Sequence, residues 1–314
     1  MDRVAVASRS FSRHRVLRRE LTARYPDTRF NDSGVSLAGD ELLEFLGDRD
    51  KAVIALEKIT DDVLAALPAL RVIAKYGVGF DMLDLEAMRA RGVELGWAGG
   101  VNRRAVSELT ICMAIDLLRH VARSDREVRS GGWQIRVGRQ VSDCTVGIVG
   151  CGRVGQDLAI LLSAFGCRII AHDILDRDAF YTTHGIRGVG LEELLAEADV
   201  VTLHLPLDAS TRMILDASRL ALMKSDAVLI NAARGGLVDE SAVKAMLMDG
   251  RLGAAGFDVF FAEPPGDADL LALPNFLATA HMGGSSEEGI LAMGRAAIAG
   301  LDEHKVPEPG VYPL

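Results

Sequence analysis

The chain has 314 residues, of which 49% are hydrophobic and 25% charged, and its formal net charge is −9. An acidic chain without a long Lys/Arg run is a poor partner for nucleic acid, whose phosphate backbone binds clustered positive charge. The first apolar run precedes the first basic cluster, unlike a secretory signal, and no apolar stretch reaches the roughly 20 residues that span a membrane. We therefore expect a cytoplasmic protein whose partners are small molecules.

The cysteines and the chain length further limit the kind of protein and the number of domains. The four cysteines form no CxxC pair and no spacing typical of metal ligands, so we expect neither a disulfide framework nor a metal site. At roughly 150 residues per domain, the length predicts about two domains.

Eight short runs of β-branched and aliphatic residues are each followed by an amphipathic stretch. This alternation predicts an α/β fold with parallel sheets, whose strands read as continuously apolar because helices cover both faces. The runs span residues 4–8, 52–56, 71–76, 145–150, 168–173, 200–205, 227–232 and 253–260. They are too many for one small domain, so we divide them between two.

Residues 102–130 interrupt this alternation. Apolar residues recur there every three or four positions, which predicts one long amphipathic helix between two sets of strands and helices. We place one domain crossing just before this helix and a return crossing just after the glycine pair at 283 and 284. The predicted domains are residues 1–99 together with 285–314, and residues 100–284.

Three glycines, Gly150, Gly152 and Gly155, follow a predicted strand directly and precede an apolar helix. In this spacing the first glycine makes a tight turn, the second lets a pyrophosphate approach the backbone, and the third lets helix and strand pack closely. The spacing alone is weak evidence, since glycine turns occur in any α/β fold. Together with the strand, the helix and the acid described next, it predicts a dinucleotide site.

Asp173 ends the following strand, 18 residues beyond Gly155. A carboxylate there can accept hydrogen bonds from the adenosine ribose hydroxyls, and it would repel a ribose 2′-phosphate. NAD is therefore favoured over NADP, although Arg153 and Arg177 are nearby cations that weaken the preference. Asp173 could instead cap a helix.

Arg234, Glu263 and His281 follow three later strands, at the strand ends where open α/β sheets bind ligands. A hydride-transfer site for 2-oxo acids requires these groups. It needs a planar cation for the carboxylate and carbonyl, an acid/base at the oxygen, and a carboxylate that orients the imidazole. Each residue taken alone also has an ordinary interpretation. Arg234 could be a surface ion-pair partner, Glu263 a solvated loop acid and His281 a hydrogen-bonded loop histidine. Their joint appearance at strand ends favours the catalytic interpretation.

At this point the sequence resembles the D-isomer-specific 2-hydroxyacid dehydrogenases, which include phosphoglycerate dehydrogenase and glyoxylate/hydroxypyruvate reductases. The resemblance covers nearly the whole chain, in KYGVGFDMLD (75–84), AGGVNRRAVSELT (98–110), the glycine loop, HLPLDASTR (204–212), INAARGGLVDE (230–240), FDVFFAEPP (257–265) and AHMGG (280–284). It implies two doubly wound parallel-sheet domains of the Rossmann/flavodoxin-like kind, with the active site in the cleft between them.

The resemblance also implies a function and assigns residues to it. The protein would transfer a hydride between NAD and C2 of a small D-2-hydroxy acid or 2-oxo acid. Arg234 would bind the substrate carboxylate and carbonyl, His281 would be the proton donor or acceptor, and Glu263 would pair with His281. Asp258 would hold the nicotinamide carboxamide, and the backbone N–H groups of Val78 and Gly79 would bind the substrate carboxylate. The remaining cofactor contacts would come from Gly150, Gly152, Arg153, Val154, Gly155, Asp173, Leu205, Pro206, Ala232, Ala233, Arg234, His281, Gly283 and Gly284.

The chain departs from the phosphoglycerate branch in one segment. That branch usually has an arginine where this chain reads Ile54, Ala55 and Leu56, which argues against a phosphorylated substrate. Lys58, Arg9 and Arg13 could still supply positive charge for a second acidic group, or could be solvated surface cations.

Two further points stay open at the level of sequence. The helix at 102–130 resembles the family's dimer-forming region, which favours a homodimer, yet such a helix could equally cover its own sheet. Relatives of this family also serve as NADH-reporting transcriptional corepressors, so an NADH-sensing interaction protein is the alternative to an enzyme. An α/β domain of the methyltransferase type is a distant third.

Overall fold

The computed structural model describes residues 2–308 and divides them into two compact units. The first unit consists of residues 2–102 and 287–308, and the second of residues 103–286. The crossings expected from the sequence lie within a few residues of these boundaries. Residues 309–314, which the sequence analysis assigns to the first domain, lie outside the described residues.

The first unit is built on a parallel sheet with the strand order β2-β1-β3-β4-β5. Within the described residues its strands are β1 Val4–Val6, β2 Thr28–Phe30, β3 Lys51–Ile54, β4 Val72–Lys75 and β5 Glu94–Gly96. Its helices are α1 Arg9–Arg13, α2 Arg15–Arg24, α3 Gly39–Leu46, α4 Asp61–Ala66, α5 Leu85–Arg91 and, near the end of the chain, α14 Glu287–Gly300. The strand order reverses between β1 and β3, as in a doubly wound fold.

The second unit is built on a larger parallel sheet, in the order β12-β11-β10-β9-β6-β7-β8. Its described strands are β6 Thr145–Val149, β7 Arg168–His172, β8 Arg187–Gly188, β9 Val200–Leu203, β10 Val228–Asn231, β11 Ala254–Phe257 and β12 Phe276–Ala278. Its helices are α6 Arg103–Arg119, α7 Val121–Arg129, α8 Arg153–Ser163, α9 Asp178–His184, α10 Leu191–Glu197, α11 Ala217–Leu220, α12 Glu240–Met248 and α13 Ala268–Ala272, with a short 3-10 turn at Val141–Asp143. The order reverses between β6 and β9, so ligands are expected at the carboxyl ends of these two strands.

The predicted fold class, two doubly wound parallel-sheet domains, is confirmed, and each of the eight predicted runs overlaps a strand. All residues of β3, β4 and β10 are buried, and each strand is apolar except for one polar residue at one end, Lys51, Lys75 and Asn231 respectively. The eight runs do not include β2, β5, β8 and β12, which are the four edge strands and have only two or three residues each. Of these, the sequence analysis assumes only β12, as the strand before His281.

Side-chain caps fix where several helices begin. Thr60, Asp84 and Asp239 precede α4, α5 and α12, and each side-chain oxygen accepts a hydrogen bond from the backbone N–H three residues on. Such caps satisfy a donor that the helix leaves without a partner, and they anchor the loops that leave the strand ends.

The prediction of one long helix over residues 102–130 is wrong. The chain breaks at His120, which adopts a left-handed conformation with φ 58°, and α6 and α7 form on either side. The carboxylate of Asp116 accepts a hydrogen bond from the backbone N–H of Ala122, which stabilises the break. Helix α6 covers its own sheet, because Met113 and Leu117 are buried in the core under β6 and β10, whereas no residue of α7 is buried.

None of the helices within residues 2–308 is long and apolar enough to cross a membrane.

Candidate active site

The glycine loop lies between β6 and α8, at the point where the second sheet reverses its order. A Cβ on Gly155 would lie 2.3 Å from the carbonyl oxygen of Gly150, so only glycine allows this approach of helix and strand. Gly150 has φ +93°, and a Cβ there would lie 2.6 Å from the carbonyl oxygen of His204. A Cβ on Gly152, which caps α8, would meet nothing within 4 Å, so open space lies before this helix N-terminus.

Asp173 directly follows β7 and is fixed by backbone donors. Its Oδ2 accepts a hydrogen bond from the N–H of Cys151 at 2.8 Å, and its Oδ1 accepts one from the N–H of Leu175 at 2.8 Å. The Nε of Arg177 lies 3.4 Å from Oδ2. Asp173 does not cap α9, which begins only at Asp178.

These features fit a dinucleotide. The open N-terminus of α8 provides backbone N–H groups and a favourable dipole for a pyrophosphate, with Arg153 and Val154 as its first two residues. The carboxylate of Asp173 lies beside the loop, at the strand end where such folds bind the adenosine ribose.

The segment after β9 packs directly against this loop. The Cδ2 of Leu205 would lie 2.8 Å from a Cβ on Gly150, and Pro206 follows in an exposed position. Nε2 of His204 and the hydroxyl oxygen of Thr202 are 3.1 Å apart and form a hydrogen bond. Burial lowers the pKa of His204 to about 4, so this imidazole is neutral at physiological pH.

The turn after β10 carries Arg234. Asn231, the last residue of β10, is 1% exposed, and its Nδ2 donates a hydrogen bond to the carbonyl oxygen of Arg234 at 2.9 Å. Its Oδ1 accepts one from the N–H of Ala233 at 3.2 Å, and Ala232 is buried beside it. A Cβ on Gly235 would lie 1.9 Å from the carbonyl oxygen of Phe260, so the Arg234 turn packs closely against the segment that follows β11.

That segment brings Glu263 to His281. Nδ1 of His281 lies 2.8 Å from Oε2 of Glu263, and the other oxygen, Oε1, accepts a hydrogen bond from the N–H of Phe260 at 3.1 Å. Both side chains are partly exposed, 39% for Glu263 and 49% for His281. With Asp258 and Thr279 they line a cavity of about 230 Å³.

Asp258 follows β11 and is 1% exposed. Its oxygens accept hydrogen bonds from the hydroxyl of Thr279 and from the backbone N–H groups of Met282 and Gly283. The residue is therefore already bonded to the His281 loop, and its assignment to the nicotinamide carboxamide stays a prediction. A Cβ on Gly283 would lie 3.1 Å from Oδ2 of Asp258, and the next residue, Gly284, is half-buried.

Val78 and Gly79 belong to the first unit, in the loop after β4. The carbonyl oxygen of Val78 accepts a hydrogen bond from the indole Nε1 of Trp97 at 2.8 Å. Their proposed contact with a substrate carboxylate stays a prediction.

The sequence analysis missed Asn231 and Thr279, whose side chains hold the turns of Arg234 and His281. The only sequence signal is a polar residue at or just after the end of an apolar strand. Throughout residues 2–308, no group of three or more His, Cys, Asp or Glu side chains is arranged to hold a metal ion.

Comparison with known proteins gives a consistent family. The sequence profile described as "D-isomer specific 2-hydroxyacid dehydrogenase, NAD binding domain" matches residues 111–283, more than half of the chain. Hydroxypyruvate reductase of Thermotoga maritima is 34% identical over 258 residues, which cover 80% of this chain and 83% of that protein. The structure of the TT0316 protein from Thermus thermophilus superposes with a TM-score of 0.84 at 33% identity, covering 98% of this chain and 99% of that one.

Another relative is considerably longer than this chain. D-3-phosphoglycerate dehydrogenase of Methanocaldococcus jannaschii is 37% identical over 262 residues, which are 82% of this chain but only 50% of that protein. The chain thus spans about half the length of this curated relative. The glycine loop, the acid after β7 and the profile match agree, and the chain belongs to the D-isomer specific 2-hydroxyacid dehydrogenase family, with its NAD-binding domain in the second unit.

Proposed function

We propose that the protein is an NAD-dependent oxidoreductase that transfers a hydride between the nicotinamide and C2 of a small D-2-hydroxy acid or 2-oxo acid. The observation that carries this proposal is the pair of His281 and Glu263, 2.8 Å apart at the edge of a cavity in the NAD-binding unit. A histidine held by a carboxylate at one ring nitrogen is suited to proton transfer at the other.

His281 is the proposed acid/base. Because Nδ1 faces Glu263, Nε2 is the nitrogen that donates a proton to the C2 oxygen during reduction and removes it during oxidation. Bound NADH would supply the hydride to C2. The carbonyl thus gains one hydride and one proton, and Glu263 stabilises the imidazolium before the proton leaves it.

Arg234 is the proposed substrate anchor. Its planar guanidinium can bind a carboxylate through two hydrogen bonds and offset the negative charge that develops on the C2 oxygen. The side chain of Asn231 holds the turn that carries it. The N–H groups of Val78 and Gly79 are proposed as further donors to the substrate carboxylate.

The proposed cofactor contacts follow the order of the strands. Gly150, Gly152, Arg153, Val154 and Gly155 would surround the pyrophosphate, and Asp173 would bind the adenosine ribose. The segments after the next strands would line the rest of the cofactor, through Leu205, Pro206, Ala232, Ala233, Arg234, Asp258, His281, Gly283 and Gly284.

We propose an unphosphorylated substrate. The segment where the phosphoglycerate branch usually has an arginine reads Ile54, Ala55 and Leu56 and adds no charge to a site; Ile54 is fully buried and Leu56 is 71% exposed. Lys58, Arg9 and Arg13 are exposed.

We also propose a homodimer. Trp133, Ile135 and Val137 are 86%, 88% and 91% exposed, and Val121 and Val128 of α7 are about half exposed. Large apolar side chains grouped along one segment are typical of a protein interface, and a second copy of the chain offers the same apolar surface in return.

The test of the activity is NADH and NADPH consumption with glyoxylate, hydroxypyruvate, pyruvate, 2-oxoglutarate and phosphohydroxypyruvate, followed by the chirality of any product. We expect turnover of an unphosphorylated 2-oxo acid with NADH and a D-configured product. An L-configured product would contradict the proposal. Tight NADH binding without turnover of any 2-oxo acid would favour an NADH sensor instead.

A further inference from the structure

Asp258 makes an unusual number of bonds to one loop. Its Oδ1 accepts hydrogen bonds from the hydroxyl of Thr279 at 2.5 Å and from the N–H of Met282 at 2.8 Å. Its Oδ2 accepts one from the N–H of Gly283 at 2.8 Å. In addition, its carbonyl oxygen accepts one from the N–H of His281 at 2.8 Å. Bonds to Asp258 therefore hold the chain before, at and after His281.

The backbone of His281 needs such support. It has φ +49°, a left-handed conformation that side chains other than glycine seldom adopt. Conformations of this kind persist where the surrounding structure fixes them, and they occur preferentially at functional sites. A buried carboxylate that accepts several hydrogen bonds is well suited to fix them, because bonds to a charged acceptor are stronger than neutral ones.

We propose that Asp258 is the positioning residue for His281. Its buried carboxylate sets the loop so that Nδ1 of the imidazole faces Glu263 and Nε2 faces the reacting oxygen. The role is additional to any contact of Asp258 with the cofactor, and it rests on the acid/base function proposed for His281.

The neighbouring strand end has the same arrangement. The backbone N–H of Asp258 donates a hydrogen bond of 2.9 Å to the carbonyl oxygen of Asn231. The side chain of Asn231 in turn holds the turn that carries Arg234. Two adjacent buried strand ends thus each hold one catalytic turn, Asn231 that of the substrate anchor and Asp258 that of the proton donor.

The test compares two identical substitutions at opposite ends of one sheet. Asp258→Asn keeps the size of the side chain, but its amide NH₂ cannot accept the hydrogen bond from Gly283. Asp199→Asn is the matched control, because Asp199 is also buried, at 6% exposure, and also accepts a hydrogen bond from a backbone N–H, that of Thr145 at 2.7 Å. Asp199 precedes β9 and so lies at the amino ends of the strands, away from the His281 loop.

Three quantities are measured on both variants. They are kcat at saturating NADH and 2-oxo acid, the Kd of NADH, and the ring ¹⁵N and ¹H signals of His281 in protein without cofactor, assigned with His281→Gln. For Asp258→Asn we expect kcat to fall by roughly 10- to 100-fold, the effect typical of losing a group that orients a reactive ligand. The Kd of NADH reports separately on the proposed cofactor contact of Asp258, so kcat is compared only at saturating NADH, and the His281 ring signals should shift. Asp199→Asn should lower Tm and leave kcat and the ring signals unchanged.

Two results would overturn the proposal. A weaker NADH affinity with unchanged saturated kcat would make Asp258 a cofactor contact only, and unchanged His281 ring signals in Asp258→Asn would show that the loop does not depend on it. If Asp258→Asn does not fold, Thr279→Val removes one of the three side-chain bonds and should show a smaller fall in kcat with the same ring shift. Unchanged kcat and ring signals in Thr279→Val would then count against positioning.

The NMR signals of the His281 ring also test the positioning role of Asp258 independently of the proposed activity. If the unaltered protein turns over no 2-oxo acid, the proposed function fails, yet the comparison of His281 signals still decides whether Asp258 positions the loop.

Discussion

Oδ2 of Asp173 accepts a hydrogen bond from the N–H of Cys151 at 2.8 Å, and this bond joins the end of β7 to the glycine loop after β6. Because the other oxygen is bonded to the N–H of Leu175, the carboxylate has a fixed position without a cofactor. The residues proposed to bind the ribose and the pyrophosphate are thus held in one register by the protein itself.

Asp173→Ser is expected to lower the preference for NADH over NADPH. The substitution removes the negative charge that repels a 2′-phosphate, and it leaves Arg177, now 3.4 Å from Oδ2, available to a phosphate. We expect the ratio of kcat/KM for NADH to that for NADPH to fall by at least about tenfold, which corresponds to about 1.4 kcal/mol. Asp176→Ser removes an exposed carboxylate three positions on and serves as the control. An equal ratio in both variants would remove Asp173 from cofactor choice.

Gly155→Ala should mainly lower the stability of the fold, whereas Gly152→Ala should mainly weaken NADH binding. A Cβ on Gly155 would lie 2.3 Å from the carbonyl oxygen of Gly150, so we expect a loss of about 1–3 kcal/mol in the free energy of unfolding. A Cβ on Gly152 meets nothing, so this variant should keep nearly its full stability but bind NADH at least about tenfold more weakly, because the methyl group enters the pyrophosphate space. Gly190→Ala, at the similarly open cap of α10, controls for the cap itself. Normal NADH affinity in Gly152→Ala would contradict the proposed pyrophosphate position.

Substitution of the proposed catalytic pair, His281 and Glu263, should affect kcat rather than cofactor binding. His281→Ala removes the proton donor, and we expect kcat to fall by about 10²- to 10⁴-fold with a nearly unchanged Kd for NADH. Glu263→Gln should lower kcat less, because the imidazole stays but loses its charged partner. Since the two residues act as a unit, the double variant should be scarcely slower than His281→Ala. A double variant whose losses multiply would show that they act independently.

The stability of the fold should depend on pH through His204. Burial lowers its pKa from the ordinary value of 6.5 to about 4. Between pH 6.5 and pH 4 the unfolded chain therefore binds a proton that the folded chain does not, and the free energy of unfolding falls as the pH falls. The contribution is at most about 3 kcal/mol, present in full above pH 6.5 and lost below pH 4. In His204→Gln, the free energy of unfolding measured with urea should depend less on pH between pH 4 and pH 6.5. If it depends on pH as steeply as in the unaltered protein, His204 is not the cause.

The oligomeric state should respond to the exposed apolar segment. We expect light scattering to give twice the chain mass of 33.7 kDa, and Trp133→Ser combined with Ile135→Ser to shift the equilibrium towards one chain. Met248→Ser removes an apolar side chain that is 64% exposed on α12 and should change nothing. A monomer at all concentrations for the unaltered protein would refute the proposed homodimer.

The sequence predicts the central strands well and the edges poorly, for a physical reason. A central parallel strand is covered on both faces, so β3 and β10 each carry an unbroken run of three apolar residues that is easily recognised. Edge strands such as β2 and β8 are short and partly exposed, and their residues carry no such pattern. The break at His120 was missed because the apolar spacing of α6 continues past it, while the left-handed turn depends on one backbone angle.

The candidate site shows the same division. Arg234, Glu263 and His281 could be selected because their chemistry suits the reaction and because they follow strands. The supporting roles of Asn231 and Asp258 could not, since they depend on hydrogen bonds between turns that are distant in sequence and meet only in the folded sheet.

The partial exposure of His281 bears on what happens between catalytic cycles. After each reduction the proposed donor has given up its proton and must regain one before it can act again. With 49% of its side chain exposed, the imidazole can take that proton directly from water or buffer, and its recharging requires no internal chain of proton carriers. Turnover in the reductive direction should therefore respond to the concentration of small buffer acids only when that recharging becomes the slowest event of the cycle.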